Sequence, residues 1–193
     1  MTESAQQALV QRVHASGNQF VLSMAGGGSR AIASLLEVPG ASASVLEAIV
    51  PYASAALESW LGGPVDLHCS ERTARAMAMA AFERARDFSQ LDATALRGIG
   101  ATASLATTRP KRGPHRIHVA WQSAEKTVAL SCELAKGQRT RVEEEAIAAQ
   151  LILTAVGEAC GVASDWPLDR AVESDVRRRE RHAPKSWSDL LLG

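Results

Sequence analysis

Three consecutive glycines followed by Ser29 and Arg30 separate an apolar run from an amphipathic one in the stretch LSMAGGGSRAIA, residues 22–33. Glycine loses more backbone entropy on ordering than any other residue. A run of Gly26, Gly27 and Gly28 therefore implies left-handed dihedrals or an approach too close for a Cβ. A strand-to-helix corner touched by a ligand needs both. Its unpaired N–H groups and the positive end of the helix dipole suit an oxyanion, with Ser29 adding a hydroxyl donor and Arg30 a charge. The chemistry offered is the binding of a phosphate or carboxylate. A sharp turn with Arg30 in solvent is the alternative reading of the same residues.

The run is not a P-loop, because no Gly-Lys-Ser/Thr follows it. Gly26, Gly28 and Ala31 satisfy a degenerate Gly-x-Gly-x-x-Ala, but the acidic residue that a dinucleotide site needs would be Glu47, inside the next strand rather than at its end. A second group of residues with chemical potential is the basic loop TTRPKRGPH, residues 107–115, with Arg109, Lys111 and Arg112 beside Thr107 and Thr108. Thr102 and Ser104 lie on the strand before it. Fixed by flanking proline and glycine, this loop could close over a phosphorylated ligand; solvated loop charges are the competing reading. Tyr52 ends a strand and is placed to line the same mouth as the glycines. His115 and His118, three apart on a strand, point to opposite faces and do not chelate together. Cys69, Cys132 and Cys160 are odd in number and widely spaced, so they read as reduced core thiols rather than a disulfide or zinc framework. No metal and no cofactor is expected. The acidic run Glu143, Glu144, Glu145 opens a helix, where negative charge suits the dipole.

The elements that must position these residues follow from periodicity and punctuation. Ser4 and Gln7 form a capping-box pair ahead of a helix ending at Gly17. QFVLSM is a short buried strand, RAIASLLE a helix ending before Pro39, SVLEAIVPY a second strand and ASAALESWLGG a helix closed by glycines. SERTARAMAMAAFERARDF is a long amphipathic helix capped by Ser70, and ALRGIGATASLAT another strand. RIHVAWQS and KTVALSCEL, separated by AEK, predict an antiparallel hairpin, and Thr140 with Glu143 caps the helix that follows. The expected architecture is α/β, a three-layer sandwich around a mixed, mostly parallel sheet. It spans residues 1–162; residues 163–193, charged and carrying two prolines, form a loosely attached tail with one short helix around 169–181.

Composition narrows the partners. With 193 residues, 46% hydrophobic, and 21 basic against 21 acidic side chains, one core of ordinary size is expected. A formal net charge of zero gives no electrostatic pull toward nucleic acid or an anionic membrane. No apolar run approaches a membrane span, and the polar amphipathic N-terminus lacks a signal-peptide core, so a cytoplasmic protein is expected.

In order, LSMAGGG, then LLEVPGASASVLEAIVPYASAALESWLGG, then CSERTARAMAMAAFERA, then GIGATASLATTRPKRGPHRIHVAWQ resembles the C-terminal domain of the CinA family, which includes nicotinamide-nucleotide amidases. The resemblance runs from about Phe20 to Cys160. It implies that Ser23 stands at the family's nucleophile, with Gly26 and Gly27 on its Gly-Gly pair. Leu22 stands in place of the preceding glutamate, and Leu57 in place of the lysine five residues beyond the strand-ending tyrosine. A serine without a base is a poor nucleophile. The reading that follows is a CinA-like domain that binds a nucleotide-like or other phosphorylated small molecule at Gly26–Arg30, Tyr52, Thr102, Ser104, Arg109, Lys111 and Arg112, with altered or absent amidase activity. Two alternatives stand beside it: a working amidase using Ser23, and a non-catalytic oligomerisation or interaction module. A homo-oligomer is expected in any of the three.

Overall fold

The computed structural model describes residues 3–108, 112–162 and 176–186. The order of elements is α1 (Glu3–His14), β1 (Gln19–Ala25), α2 (Arg30–Glu37), β2 (Val45–Ile49), α3 (Ser54–Leu61), α4 (Glu71–Phe88), β3 (Leu96–Ser104), β4 (His115–Gln122), β5 (Lys126–Leu134), α5 (Arg141–Ala159) and β6 (Arg177–His182). The six strands form one mixed sheet in the order β2-β1-β3-β4-β5-β6. Helices α1, α2 and α5 cover one face and α3 and α4 the other, giving the α/β sandwich expected. The balance of the sheet differs from expectation. β1 pairs in parallel with β2 and β3, whereas β3–β4, β4–β5 and β5–β6 are antiparallel, so parallel pairings are the minority.

Strand periodicity divides β1 between two cores. Phe20, Leu22 and Met24 enter the larger cluster with Leu9, Leu35 and Ile152, while Val21 packs with Phe82 and Ala25 with Leu57 and Met77 on the face covered by α4. On the same face, a Cβ at Gly98 would collide with the Ala78 carbonyl and Phe82 nitrogen, and one at Gly100 with the Ala74 carbonyl and Ala78 nitrogen. These two glycines let α4 lie directly on the backbone of β3. Two expected caps are present: Ser70 accepts from the Thr73 N–H at 3.1 Å, and Thr140 and Glu143 cap each other reciprocally, whereas Ser29, expected to cap α2, makes no side-chain cap bond. Ser4 is an exception, because α1 begins at Glu3.

The tail is the other correction. Residues 163–175, where most of the expected helix falls, lie outside the described residues; beyond them Arg177–His182 is not helical but adds a sixth strand, antiparallel to β5 from Ser131↔Arg177 to Lys126↔His182. RRRERH has no apolar periodicity to fix a helix on a core, but the edge of β5 supplies a ladder, and acids stand ready on both faces. Arg177 pairs with Glu133 at 3.3 Å, Arg178 with Glu158 at 2.5 Å and Arg179 with Glu71 at 3.4 Å. Such a charged edge strand also discourages further strand addition.

The topology sets where a site can form. The chain leaves β1 into α2 on one face and leaves β2 into α3 on the other, so the loops after these neighbouring parallel strands diverge and open a crevice at their carboxyl ends.

Candidate functional site

That crevice holds the three glycines. Gly26 and Gly28 have φ of +83° and +96°, values that exclude a side chain without strain, and a Cβ on Gly26 would also strike the Ala103 carbonyl. Gly27 has no left-handed φ; its Cβ would lie 2.5 Å from Leu105 Cδ1 and 3.0 Å from Glu145 Oε2. Beyond the loop α2 starts at Arg30, and its Ala31 and Ile32 N–H groups bond back to the Gly28 and Ser29 carbonyls at 2.9 and 3.1 Å, leaving the N–H groups of Gly28 and Ser29 to face the corner. Three donors converge there on a single oxygen. The Gly28 N–H at 2.8 Å, the Ser29 N–H at 2.6 Å and the Ser29 hydroxyl at 2.8 Å all donate to Glu145 Oε1, on the first turns of α5. The acceptor at this corner is a carboxylate of the chain itself, not a ligand.

The second oxygen, Glu145 Oε2, is buried and has no hydrogen-bond partner. It lies 3.7 Å from Arg141 Nη2, which donates instead to the Gly26 carbonyl at 2.9 Å. Burial opposes ionisation of Glu145, but the bonds from Gly28 and Ser29, with the charge of Arg141, outweigh it and hold the carboxyl below its ordinary range. Beside the carboxylate remains a cleft of about 220 Å³, lined among others by Gly27, Ser29, Arg30, Tyr52 and Arg141.

The structure thus brings together Gly26–Arg30 and Tyr52, which is 68% exposed at the cleft mouth. It does not bring Ser23 there. Ser23 is 0% exposed beneath α4, and its hydroxyl donates to the Met77 and Ile99 carbonyls at 3.4 and 3.3 Å. The physical reason is strand parity: Ser23 is an odd-numbered residue of β1, on the face to which Gly100 admits α4. Leu22 and Leu57 are both buried core residues. Thr102 is also turned away from the glycine corner and donates to the His68 carbonyl at 2.7 Å. Ser104 is half-buried at the end of β3, Arg112 is exposed, and Arg109 and Lys111 lie outside the described residues.

Sequence reasoning passed over the most informative residues, the acidic run. Glu143 completes the helix cap. Glu144 is 0% exposed, sits 2.7 Å from His115 Nδ1 and accepts the Ala106 N–H at 2.5 Å, tying the segment after β3 to α5. Glu145 fills the glycine corner. The signal that could have found them is geometric: successive helical residues point about 100° apart, so three adjacent glutamates cannot share one solvated role. The histidines do face opposite ways, His115 to Glu144 and His118 to Ser131, with burial and then Arg116 lowering the pKa of His118. Cys132 and Cys160 are buried, and burial pushes the Cys160 thiol up to about 11; Cys69 is only half-buried. Among the described residues, no cluster of histidine, cysteine and acidic side chains is placed to hold a metal, and no helix is long and apolar enough to cross a membrane.

Three comparisons bear on this geometry. A family model, the CinA C-terminal domain, matches residues 2–156. The fold is similar to that of competence/damage inducible protein CihA from Agrobacterium tumefaciens, at 20% identity and a TM-score of 0.57, over 83% of this chain and 94% of that one. It is similar also to competence damage-inducible protein A (ComA) from Klebsiella pneumoniae, at 20% identity and a TM-score of 0.61, over 84% and 97% of the two chains. No curated protein matches.

Proposed function

Because this chain belongs to the CinA C-terminal domain family, we propose that it is a ligand-binding form of that domain, taking the anionic group of a nucleotide-like or other phosphorylated small molecule at the Gly26–Arg30 corner without Ser23-dependent amidase chemistry. The observation that carries this reading is the convergence of three donors on Glu145 Oε1 at 2.6–2.8 Å. A corner that holds a carboxylate this way offers the same donors to a phosphate oxygen, with Arg30 and Arg141 beside it and Tyr52 at the mouth to cover an organic moiety. Binding then requires Glu145 to give way, and Arg141, 3.7 Å from its free oxygen, can accept the displaced carboxylate. The absence of hydrolysis is supported by the burial of Ser23 and by Leu57, an alkyl side chain where the family keeps a lysine.

Thermal unfolding of the full chain with nicotinamide mononucleotide or inorganic phosphate, beside Glu145→Ala, tests the reading. Either ligand should raise the unfolding temperature, and at lower concentration in the variant, because the internal competitor is gone. No shift in either protein would overturn it. That result would favour a second reading, a non-catalytic interaction module whose corner is permanently satisfied by its own carboxylate. Self-association and a cytoplasmic setting belong to both readings; exposed Val50 and Tyr52, just beyond the edge strand β2, support the former.

A further inference from the structure

A second concave site lies at the other end of the sheet. Ala25, which leads into the glycine corner, is paired with Thr102 near the end of β3, whereas Gln122, in this second groove, is paired with Gly98 near its beginning. The groove, about 530 Å³, runs between α4 and the edge strand β6 over Gln122 and Thr127. Arg72 and Arg75 stand on one face of α4, three residues apart, with Met79 one turn further on. Arg181 faces them from β6. The bridge from Arg179 to Glu71, 3.4 Å, shows that the odd-numbered side of β6 is turned toward α4. Lys126 and His182, cross-strand partners, close one end.

The charge of this groove is one-sided. The acids beside it are already committed: Glu71, one turn before Arg75 on α4, to Arg179 at 3.4 Å, Asp66 to Arg72 at 3.2 Å, and Glu180 to Lys126, Arg178 and His182. Among the described residues, the guanidinium groups of half-buried Arg75 and of Arg181 have neither ion-pair nor hydrogen-bond partners. Arg75 is half-buried, which fixes its stem on α4, while its guanidinium is not among the buried polar groups and can meet an incoming anion. Planar guanidinium forks match phosphate oxygens in pairs, and two forks facing each other across a groove suit an anion with more than one charged group. Ala76, Met79 (40% exposed) and Pro184 add an apolar surface. The volume is that of a small-molecule site.

We propose that this groove binds a small molecule bearing two or more linked phosphate groups, with Arg75 and Arg181 as its principal contacts and the Ala76–Met79 side of α4 receiving the organic part. The site is independent of the reading given to the glycine corner.

Titration calorimetry of the full chain with inorganic pyrophosphate at low and moderate salt tests it, with circular dichroism confirming the fold of each variant. Pyrophosphate should bind, more weakly as salt rises. Arg75→Ala combined with Arg181→Ala should weaken binding about tenfold or more, and Arg75→Lys with Arg181→Lys should recover part of it. Arg86→Ala, in the exposed last turn of α4 and outside both sites, should leave it unchanged. No binding to the wild type, equal binding to the double alanine variant, or an equal loss in Arg86→Ala would overturn the proposal. So would tight binding of a single-stranded oligonucleotide with no response to pyrophosphate, which would make the groove a nucleic-acid surface. A failure at the glycine corner would leave these results untouched.

Discussion

The hydroxyl of Ser29 and the carboxylate of Glu145, 116 residues apart in the chain, meet at 2.8 Å, and the backbone N–H of the same serine reaches the same oxygen at 2.6 Å. The pair joins the first turn of α2 to the first turns of α5 across the mouth of the sheet. The carboxylate occupies the donors of this corner, so an anion taken up there, as proposed above, would have to displace it.

Replacing Glu145 with glutamine keeps the shape and removes the charge. The three donors then face a neutral acceptor, and the unliganded protein should lose about 1–2 kcal/mol of stability. Its affinity for nicotinamide mononucleotide or phosphate should rise. Denaturant unfolding and calorimetry on the same pair of proteins check both directions; a variant less stable yet no better at binding would show that Glu145 is a structural clasp rather than a competitor.

Acid should erase that difference. The carboxyl of Glu145 has its pKa lowered in the folded state, so its contribution is fully present above the ordinary value of 4.5 and is lost as pH falls through the folded value. The stability gap between wild type and Glu145→Gln should therefore be constant near neutrality and close below about pH 4. Other carboxylates lowered in the fold, such as Glu143 and Asp92, affect both proteins alike. A gap that persists at low pH would mean the charge of Glu145 does not hold the corner.

Ser23→Ala removes a hydroxyl whose two hydrogen bonds are long, and the loss of stability should stay within about 1 kcal/mol. Release of ammonia from nicotinamide mononucleotide should be at background in both proteins. Turnover by the wild type that disappears in the variant would restore the hydrolase reading.

Truncation after Ser164 removes β6 and leaves the apolar strand β5 as an unpaired edge. The remaining core should still fold, with helical circular dichroism intact, but light scattering should detect assemblies larger and more polydisperse than those of the full chain at the same concentration. A monodisperse truncated protein would show that the charged strand does not protect this edge, and an unfolded one that it completes the core.

The sequence by itself determined the order and type of the elements before the tail, the reciprocal cap of Thr140 and Glu143, the hairpin of β4 and β5, and the need for glycine at the corner after β1. All are local properties: periodicity, capping chemistry and left-handed dihedrals depend on residues a few positions apart. The resemblance carried by VPGAS, VPY and ARAMA gave the family. Tertiary structure alone decided which residues meet. Gly98 and Gly100 admit α4 onto β3 and so bury Ser23, which no local pattern around Ser23 records. The arginines of residues 177–181 became a strand because β5 had a free edge and Glu71, Glu133 and Glu158 were near it. Glu143, Glu144 and Glu145 look equivalent in the chain, yet each points to a different partner once α5 is docked, because a helix turns its neighbours about 100° apart and only the packed sheet determines what lies in each direction.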